Sequence, residues 1–552
     1  MAFEELLEQV GSLGRYDILQ TVLILFYVLT ASIHNLLDNF TAAIPAHRCW
    51  VQLLDNGTVP GNDTGILSQD DLLRISIPLD STMKPEKCRR FIHPQWQLLH
   101  LNETFSNSNE PDIEPCLDGW VYDQSYFPST IVTEWDLVCD YQSMKSVVQF
   151  LYMTGMLVGT LVCSPLSDRF GRKVMVKWCL LLVAISGTCT AFASSFFIYC
   201  SLRFLAGFSS MVILANSRML AIEWTRIQSR DSLLTLINSI HGIGITVLGG
   251  LAFIFRKWRT LPLVVAAPCF LFFLSSRWLV ESARWFIATN KPDQGLKALR
   301  KVAQINGIKN SEETLNVEVV RSTMQEELQA AQTKTTLWDL FRNTNMRKRI
   351  CLLFVVSLGY TIPLYGLTFN IQHLGNNIFL YQVLFGAICF LAQIFSLLVL
   401  NHVSRRVSQI LFLILEGLFI LVHPFLPEEI QALRVALACV AVGFGTAAIN
   451  SATIHITELI PTVLRARTLG LVTMVSRIGA ALAPLLMTLR IFSTTIPWII
   501  YGVIPIIACF AVFCLPETKN LPLIDNLQDV NNENKFTRKV KKNDSSIKIT
   551  KF

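Results

Sequence analysis

The sequence predicts an all-α membrane protein with twelve transmembrane helices in two sets of six. Of its 552 residues, 52% are hydrophobic and only 16% are charged, whereas soluble domains carry about 25% charged residues. The mean hydropathy of +0.45 excludes an ordinary soluble enzyme. Twelve apolar stretches approach the ~20 residues that a transmembrane helix needs. A long polar segment separates the sixth stretch from the seventh.

The predicted spans follow one another in two groups. The first group comprises residues 17–39, 144–166, 174–194, 197–221, 232–255 and 260–280. The second group comprises residues 349–370, 377–400, 408–426, 432–456, 468–490 and 495–515. The first stretch follows an acidic opening at Glu4, Glu5 and Glu8 instead of the basic region of a signal peptide, so we interpret it as a retained helix.

Short basic loops predict the orientation of these helices. The loops after the second, fourth, eighth and tenth spans contain Arg169, Arg172, Lys173, Arg226, Arg230, Arg405, Arg406, Arg465 and Arg467. The positive-inside rule places these loops, and hence both termini, in the cytoplasm. The basic residues Arg256, Lys257 and Arg259 after the fifth span oppose this orientation, and we accept the conflict because the other loops agree. The net charge of +7 is explained by these loops and needs no nucleic-acid partner.

The spans and their connections define the expected domains. Residues 1–280 form an N-terminal six-helix half, and residues 349–515 form a C-terminal half. Between them, residues 281–348 are polar, with helical stretches at 293–305 and 318–332, and we expect a cytoplasmic linker. The basic tail, 516–552, is expected in the cytoplasm, either solvated or in contact with anionic lipids.

The segment between the first two spans, about 40–143, is the large outside loop in this topology. It is acidic and carries Asn-X-Thr acceptor sequences for N-glycosylation at Asn56, Asn62 and Asn102. An even number of cysteines on the oxidising side of a membrane indicates two disulfides, with three pairings open. The cysteines concerned are Cys49, Cys88, Cys116 and Cys139.

The loop between the second and third spans reads Ser-Asp168-Arg169-Phe-Gly171-Arg172-Lys. Gly171 permits a tight bend, and Asp168 can pair with a neighbouring arginine or a helix N-terminus. The pattern resembles the D-R-x-G-R-[KR] loop of major facilitator superfamily transporters, which latches the two halves of those proteins in one conformation. The resemblance implies the major facilitator fold and a gating role for these four residues.

Further motifs resemble one branch of that superfamily over essentially the whole chain. They are the Ser129–Cys139 segment, Glu281-Ser-Ala-Arg284-Trp285, Glu458-Leu-Ile-Pro-Thr-Val-Leu-Arg465 and Leu515-Pro-Glu517-Thr. With the long first loop, they resemble the organic cation, anion and zwitterion transporters of the solute carriers. The resemblance implies gating roles for Glu281, Arg284, Arg405, Arg406, Glu458 and Arg465. The loop at Arg405 carries Ser404 where the family has glycine.

Arg477 lies in the middle of the eleventh span, in the stretch LGLVTMVSRIGAALAPLL. An arginine at membrane depth costs about 2.5–3.5 kcal/mol on insertion scales and usually faces the bundle interior or a water-filled cavity. Organic anion carriers of this family have an arginine in the eleventh span, so the resemblance implies an anion carrier. Two interpretations stay open: Arg477 binds the anionic group of a substrate, or a carboxylate such as Glu416 or a helix C-terminus neutralises it.

Two departures from the family narrow the expected substrate. Dicarboxylate-exchanging members resemble this chain but carry a lysine at Gln393 and a tyrosine at Phe253. With one cation fewer, and apolar walls that include Tyr365 and Phe369, we expect bulky amphipathic monoanions rather than small dianions. Steroid sulfates, steroid glucuronides and bile acids fit this description.

Polar residues in the first and fourth spans complete the set of candidates. His34 and Asn35 lie at a polar break, where interhelical hydrogen bonds or contact with substrate would satisfy them, and Asn39 is a further polar candidate. We expect Arg218 to reach the membrane interface or to pair with Glu223 instead of binding substrate.

The sequence therefore predicts a secondary active or facilitative transporter of organic anions in the plasma membrane, working by alternating access. The alternatives are an organic cation or zwitterion carrier and a non-transporting receptor on a transporter scaffold. The nine histidines lack zinc-protease spacing and no phosphate-binding loop is present, so we expect no enzyme, no cofactor and no metal. The expected partners are small organic anions and the lipid bilayer.

Overall fold

The computed structural model describes residues 2–11, 14–56, 68–80, 83–99, 112–308, 341–375, 377–427 and 429–519. In this part of the chain, 12 helices are long and apolar enough to cross a membrane. The prediction of twelve spans in an all-α membrane protein is therefore confirmed. We number these helices α1–α12 and refer to α1–α6 as the first half and to α7–α12 as the second half.

The bounds of the twelve helices agree with the predicted spans to within several residues. Helices α1–α6 are Arg15–Asn35, Met144–Phe170, Arg172–Thr190, Phe196–Trp224, Ile227–Ile254 and Thr260–Ser275. Helices α7–α12 are Thr344–Phe369, Ile378–His402, Arg405–Val422, Gln431–Leu459, Thr462–Leu486 and Ile496–Phe513.

The helices bury one apolar stripe each and expose another to the surroundings. In α7, Met346, Ile350 and Leu353 recur at helical spacing and are at most 2% exposed in the core of the second half. On the outside, apolar side chains such as Phe197 and Phe510 are 82% and 72% exposed. Large exposed apolar side chains on most of the helices are what a lipid-facing bundle requires.

The two halves meet closely where α5 crosses α8. A side-chain carbon added at Gly242 would lie 2.7 Å from the backbone nitrogen of Phe390, and one added at Gly386 would lie 2.7 Å from the carbonyl oxygen of Gly242. Only glycine allows the two backbones to approach this closely. This crossing fixes the position of α5 relative to the second half.

Part of the predicted linker is helical. The helix Pro292–Asn306 confirms the stretch expected at 293–305, with Pro292 in its first turn. The stretch expected at 318–332 lies outside the described residues, as does the tail beyond Lys519.

A second compact unit contains Phe40–Lys145 and Phe255–Leu261. It has two small antiparallel sheets, in which β1 (His47–Cys49) pairs with β4 (Trp120–Tyr122) and β2 (Arg89–Phe91) pairs with β3 (Ile113–Pro115). Its four cysteines form two disulfides, Cys49–Cys116 and Cys88–Cys139. Of the three glycosylation candidates, Asn56 is exposed, whereas Asn62 and Asn102 lie outside the described residues.

The same unit contains the basic residues that opposed the predicted orientation. Arg259 pairs with Glu134, and the indole nitrogen of Trp258 donates to the other oxygen of that carboxylate at 2.9 Å. Glu134 belongs to the Ser129–Cys139 motif. One of the three basic residues after α5 therefore forms an ion pair in its own folded unit.

Candidate functional site

Arg477 and Tyr365 form the centre of the candidate site. Arg477 Nη1 donates to the Tyr365 hydroxyl at 3.1 Å, and both side chains are half-buried. Every other residue from 359 to 371 is buried, so Tyr365 is the one partly exposed side chain of this stretch. The Tyr365 and Phe369 rings lie 5.4 Å apart, so an aromatic pair stands beside Arg477.

Arg218 faces the same centre from the first half. Its guanidinium lies within electrostatic range of Arg477 and Tyr365. His241 of α5 lies within the electrostatic range of both arginines, and its Nδ1 is 3.0 Å from the Ser32 hydroxyl of α1. Side chains from both halves, and from five helices, thus converge on one region.

The expectation that Arg218 pairs with Glu223 is wrong. Glu223 instead lies 3.4 Å from Arg172, because residues five apart in a helix point in different directions. Arg218 lies between Leu214 and Ala221 on the stripe of α4 that packs against α1 and α5. The side chain is therefore held inside the bundle and does not extend to the membrane interface.

Arg203, the other arginine of α4, has a carboxylate partner and serves the fold. Arg203 is 1% exposed and its Nη2 lies 2.8 Å from Asp38 Oδ2. Tyr199 donates to the other oxygen of Asp38 at 3.0 Å. This pair is neutral and fully bonded, as a structural buried charge must be.

No carboxylate neutralises Arg477 or Arg218 among the described residues. Glu416, the candidate partner within the second half, is 0% exposed and lies against Gly445. Neither of its carboxyl oxygens has a hydrogen-bond partner in the described part of the chain. The site thus presents two guanidinium groups for which the described residues supply no carboxylate.

The structure does not bring every predicted substrate residue to this centre. His34 is 0% exposed and its ring points towards Gly187 of α3 and Cys269 of α6. Phe253 packs edge-on against Phe379 and lies twelve residues, about 18 Å, along α5 from His241. Both side chains therefore lie away from Arg477 and Tyr365.

Two further candidates keep unused hydrogen-bonding groups. Asn35 is buried at the end of α1, and Gln393 is half-buried in α8. Asn35 Oδ1 and Gln393 Oε1 have no partner within the described residues.

A network of uncharged side chains joins the halves near the end of α1. Asn39 Nδ2 donates to the carbonyl of Thr368 at 2.7 Å and to Gln382 Oε1 at 3.2 Å. Gln149 Nε2 donates to Asn39 Oδ1 at 3.3 Å and to the carbonyl of Phe369 at 3.4 Å. We call Asn39, Gln149, Thr368 and Gln382 the amide gate. It links helices of the two halves close to the point in the sequence where α1 ends.

The predicted gating residues form a network within each half. In the first half, the Glu281 carboxylate accepts from the backbone N–H groups of Arg172 and Lys173, both at 3.0 Å. Arg172 also lies 3.1 Å from Asp168. Gly171 has φ = +97° and faces Glu281, so a side chain there would be strained and would displace the carboxylate.

The second half repeats this arrangement. Glu517 accepts from the backbone N–H groups of Arg405 and Arg406 at 2.9 and 3.1 Å, and Arg405 lies 3.0 Å from Glu458. Burial raises the pKa of Glu517, but the N–H donors of Lys519, Arg406 and Arg405 hold it below its usual value. Each of these ion pairs stays within its own half.

The remaining predicted gating residues are Arg169, Arg284 and Arg465. Arg169 is exposed and lies over the ring of Phe170. Arg284 interacts electrostatically with Glu223. The Nε and Nη2 atoms of Arg465 have no hydrogen-bond partner in the described part of the chain.

Comparison with known proteins adds a family to this geometry. Residues 132–484 match the sequence model of the Major Facilitator Superfamily. Human solute carrier family 22 member 10 is 63% identical over 97% of this chain and 99% of its own length. The human steroid transmembrane transporter SLC22A24 is 55% identical over 100% of both chains. Human solute carrier family 22 member 25 is 54% identical over 97% of both.

Solved structures show the same fold. The partially occluded inward-open conformation of the xylose transporter XylE from E. coli matches with a TM-score of 0.60 at 14% identity. The match covers 92% of this chain and 100% of that chain. The fold expected from the loop motifs is confirmed, and at this identity the likeness concerns the fold alone.

Proposed function

Because this chain belongs to the major facilitator superfamily and, within it, to solute carrier family 22, we propose that it transports bulky amphipathic organic anions. Steroid sulfates and glucuronides are the foremost candidates, followed by bile acids. The relatives named as steroid transmembrane transporters support a steroid body for the substrate. The sign of the substrate's charge rests on this chain's own residues.

The observation that carries the proposal is the state of Arg477. Its guanidinium is half-buried, bonds to Tyr365 and lacks a carboxylate partner among the described residues. At an effective dielectric of about 20, an anion at 4 Å gains about 4 kcal/mol from such a charge, and a cation loses as much. This difference selects anions, while the ring of Tyr365 supports the apolar body.

The transport cycle follows from the two sets of contacts between helices. The halves, residues 1–280 and 349–515, rock about the site at Arg477. In the present state the amide gate closes one side, and on the opposite side the networks of Arg172 and Arg405 stay within their own halves. The substrate exchanges on that opposite side and is released on the other once the amide gate opens.

The proposed location is the plasma membrane, with both termini and the linker in the cytoplasm. The basic loops at Arg172 and Arg405 lie at the cytoplasmic side in this orientation. The 40–143 loop, with its two disulfides and the exposed Asn56, then lies outside, where disulfides form and glycosylation is retained.

The experiment is uptake of radiolabelled estrone sulfate by cells that express the wild-type chain or Arg477→Ala, with surface biotinylation to equalise the amount of protein. Arg347→Ala, which removes an exposed arginine at the start of α7, is the matched control. We expect saturable uptake by the wild type and the control, and loss of uptake in Arg477→Ala.

Two further results would redirect the assignment. Binding of estrone sulfate to the surface-expressed chain without accumulation would indicate a receptor, and uptake of organic cations alone would indicate a cation carrier. Preloading the cells with glutarate tests whether an exchanged dicarboxylate drives uptake despite Gln393.

A further inference from the structure

Arg218 is a second cation at the anion site, supplied by the other half of the molecule. We propose that Arg218 and Arg477 together clamp one tetrahedral oxyanion, so that the site prefers a sulfate or phosphate ester over a carboxylate on the same steroid. This inference rests on the proposed transport of organic anions. It assigns Arg218 a role in specificity that the sequence did not suggest.

The position of Arg218 carries an electrostatic cost. Its Nε is buried without a partner in the described part of the chain, and its charge lies within range of Arg477 and His241. A buried unpaired charge is strongly unfavourable, and a neighbouring like charge adds to the penalty. The Arg218 side chain as a whole is half-buried, and an anion bound beside it would relieve this penalty.

Arg203, on the same helix, has a different electrostatic environment from Arg218. There the chain places Asp38 at 2.8 Å and Tyr199 against the second carboxylate oxygen. The fold therefore neutralises a buried arginine when that arginine serves packing. At Arg218 it provides no described carboxylate and directs the side chain into the bundle instead, between Leu214 and Ala221.

A ligand that bonds to both arginines must offer enough acceptor oxygens for two guanidinium groups. Tyr365 accepts a hydrogen bond from Arg477 and lies within electrostatic range of Arg218. Each guanidinium is a planar fork that binds two acceptor oxygens. A sulfate or phosphate ester offers three terminal oxygens, enough for both forks, whereas the carboxylate of a glucuronide offers two.

The clamp also couples binding to the conformational change. Arg218 belongs to α4 in the first half, and Arg477 belongs to α11 in the second. An oxyanion that bonds to both draws the halves together and screens the repulsion between the two arginines. A ligand shifts a conformational equilibrium only by its differential affinity for the two states, and a bridging anion supplies such a difference.

The test compares three esters of one steroid: estrone sulfate, estrone phosphate and estrone glucuronide. Each is used to inhibit uptake of radiolabelled estrone sulfate by the wild type, Arg218→Gln and Arg218→Lys at equal surface expression. We expect Arg218→Gln to weaken the sulfate and phosphate by about tenfold, the effect of losing one charge-assisted fork, and the glucuronide much less. Arg218→Lys keeps the charge but not the fork, and we expect an intermediate loss of the sulfate preference.

Thermal unfolding of purified protein separates this role from a structural one. Without ligand, Arg218→Gln removes an uncompensated charge and should unfold at a higher temperature than the wild type. Estrone sulfate should then stabilise the variant less than it stabilises the wild type. A structural arginine would give the opposite sign in the absence of ligand.

The outcomes distinguish this inference from the proposed function. Equal weakening of all three esters in Arg218→Gln, or no weakening, overturns the clamp while leaving anion transport intact. If the wild type transports none of the three esters, the proposed function fails. If Arg218→Gln does not reach the surface, the comparison of the esters in Arg218→Lys decides in the same way.

Discussion

Replacing Asn39 by leucine should open the side of the molecule that the amide gate closes. Asn39 is 1% exposed and leucine has a similar size, so the change removes hydrogen bonds and leaves packing nearly intact. In the wild type, two of its bonds cross directly to the second half, at 2.7 Å to Thr368 and 3.2 Å to Gln382.

The size of the effect follows from these two bonds. A hydrogen bond contributes about 1 kcal/mol net to the state that contains it. Both bonds exist only when the halves are closed on this side, so their loss destabilises the closed state relative to the open one by about 2 kcal/mol. At 1.4 kcal/mol per factor of ten, the ratio of open to closed molecules rises about 30-fold.

The assay is binding of a membrane-impermeant steroid glucuronide conjugate to intact cells at 4 °C, where transport is arrested. The apparent affinity for a ligand falls in proportion to the fraction of molecules in the competent state. If the open state is rare in the wild type, Asn39→Leu should bind the external ligand up to about 30-fold more tightly. Uptake should slow, because the closed state must form in every cycle.

Asn370→Leu is the matched control. Asn370 is also a buried asparagine, but its amide donates to Gly366 of the same segment at 2.8 Å and does not reach the first half. It should leave external affinity unchanged. If Asn39→Leu and Asn370→Leu bind the external ligand equally well, the amide gate does not hold the halves together and the reasoning is refuted.

Three further predictions concern carboxyl groups. Asp38→Asn should lower the free energy of unfolding by about 3–5 kcal/mol, because it leaves Arg203 charged and unpaired. Thermal unfolding measures the loss, and adding Arg203→Met should restore part of it. Glu416→Gln should keep wild-type uptake of estrone sulfate, whereas collapse would mean that Glu416 is the partner of Arg477 after all. Glu517 has a lowered pKa in the folded state, so its stabilising contribution is present above its unfolded pKa and is lost as the pH falls through the folded value. The difference in melting temperature between the wild type and Glu517→Gln should shrink over that pH range, and a constant difference would contradict the assignment.

The helices could be predicted because their signal is local. A run of about 20 apolar residues has few alternatives to crossing a membrane, and each predicted span overlaps an observed helix. Arg477 was predictable for the same reason, since the cost of a charge at membrane depth is visible in the sequence. The absence of a carboxylate partner among the described residues could only come from the structure.

The sequence did not predict how a helix is rotated about its own axis. Polar side chains are spread around the fourth span, so the sequence does not show which face of this helix points inwards. The prediction that Arg218 pairs with Glu223 failed because residues five apart in a helix point in different directions, and Glu223 lies beside Arg172 instead. The amide gate was missed because Asn39 and Gln382 are 343 positions apart, and no local pattern links two amides at that separation.

The matching carboxylates Glu281 and Glu517 have a mechanical consequence. Each comes from the segment that follows the last helix of its half, and each binds the N-terminus of the third helix of the same half. These hydrogen bonds hold the two chain segments that leave the bundle against the first turns of α3 and α9. A force on either segment is transmitted to the third helix of the same half. Each half therefore moves as one rigid body. A modification of the chain just beyond Glu281 or Glu517, or a partner that binds there, would therefore act on the whole half at once.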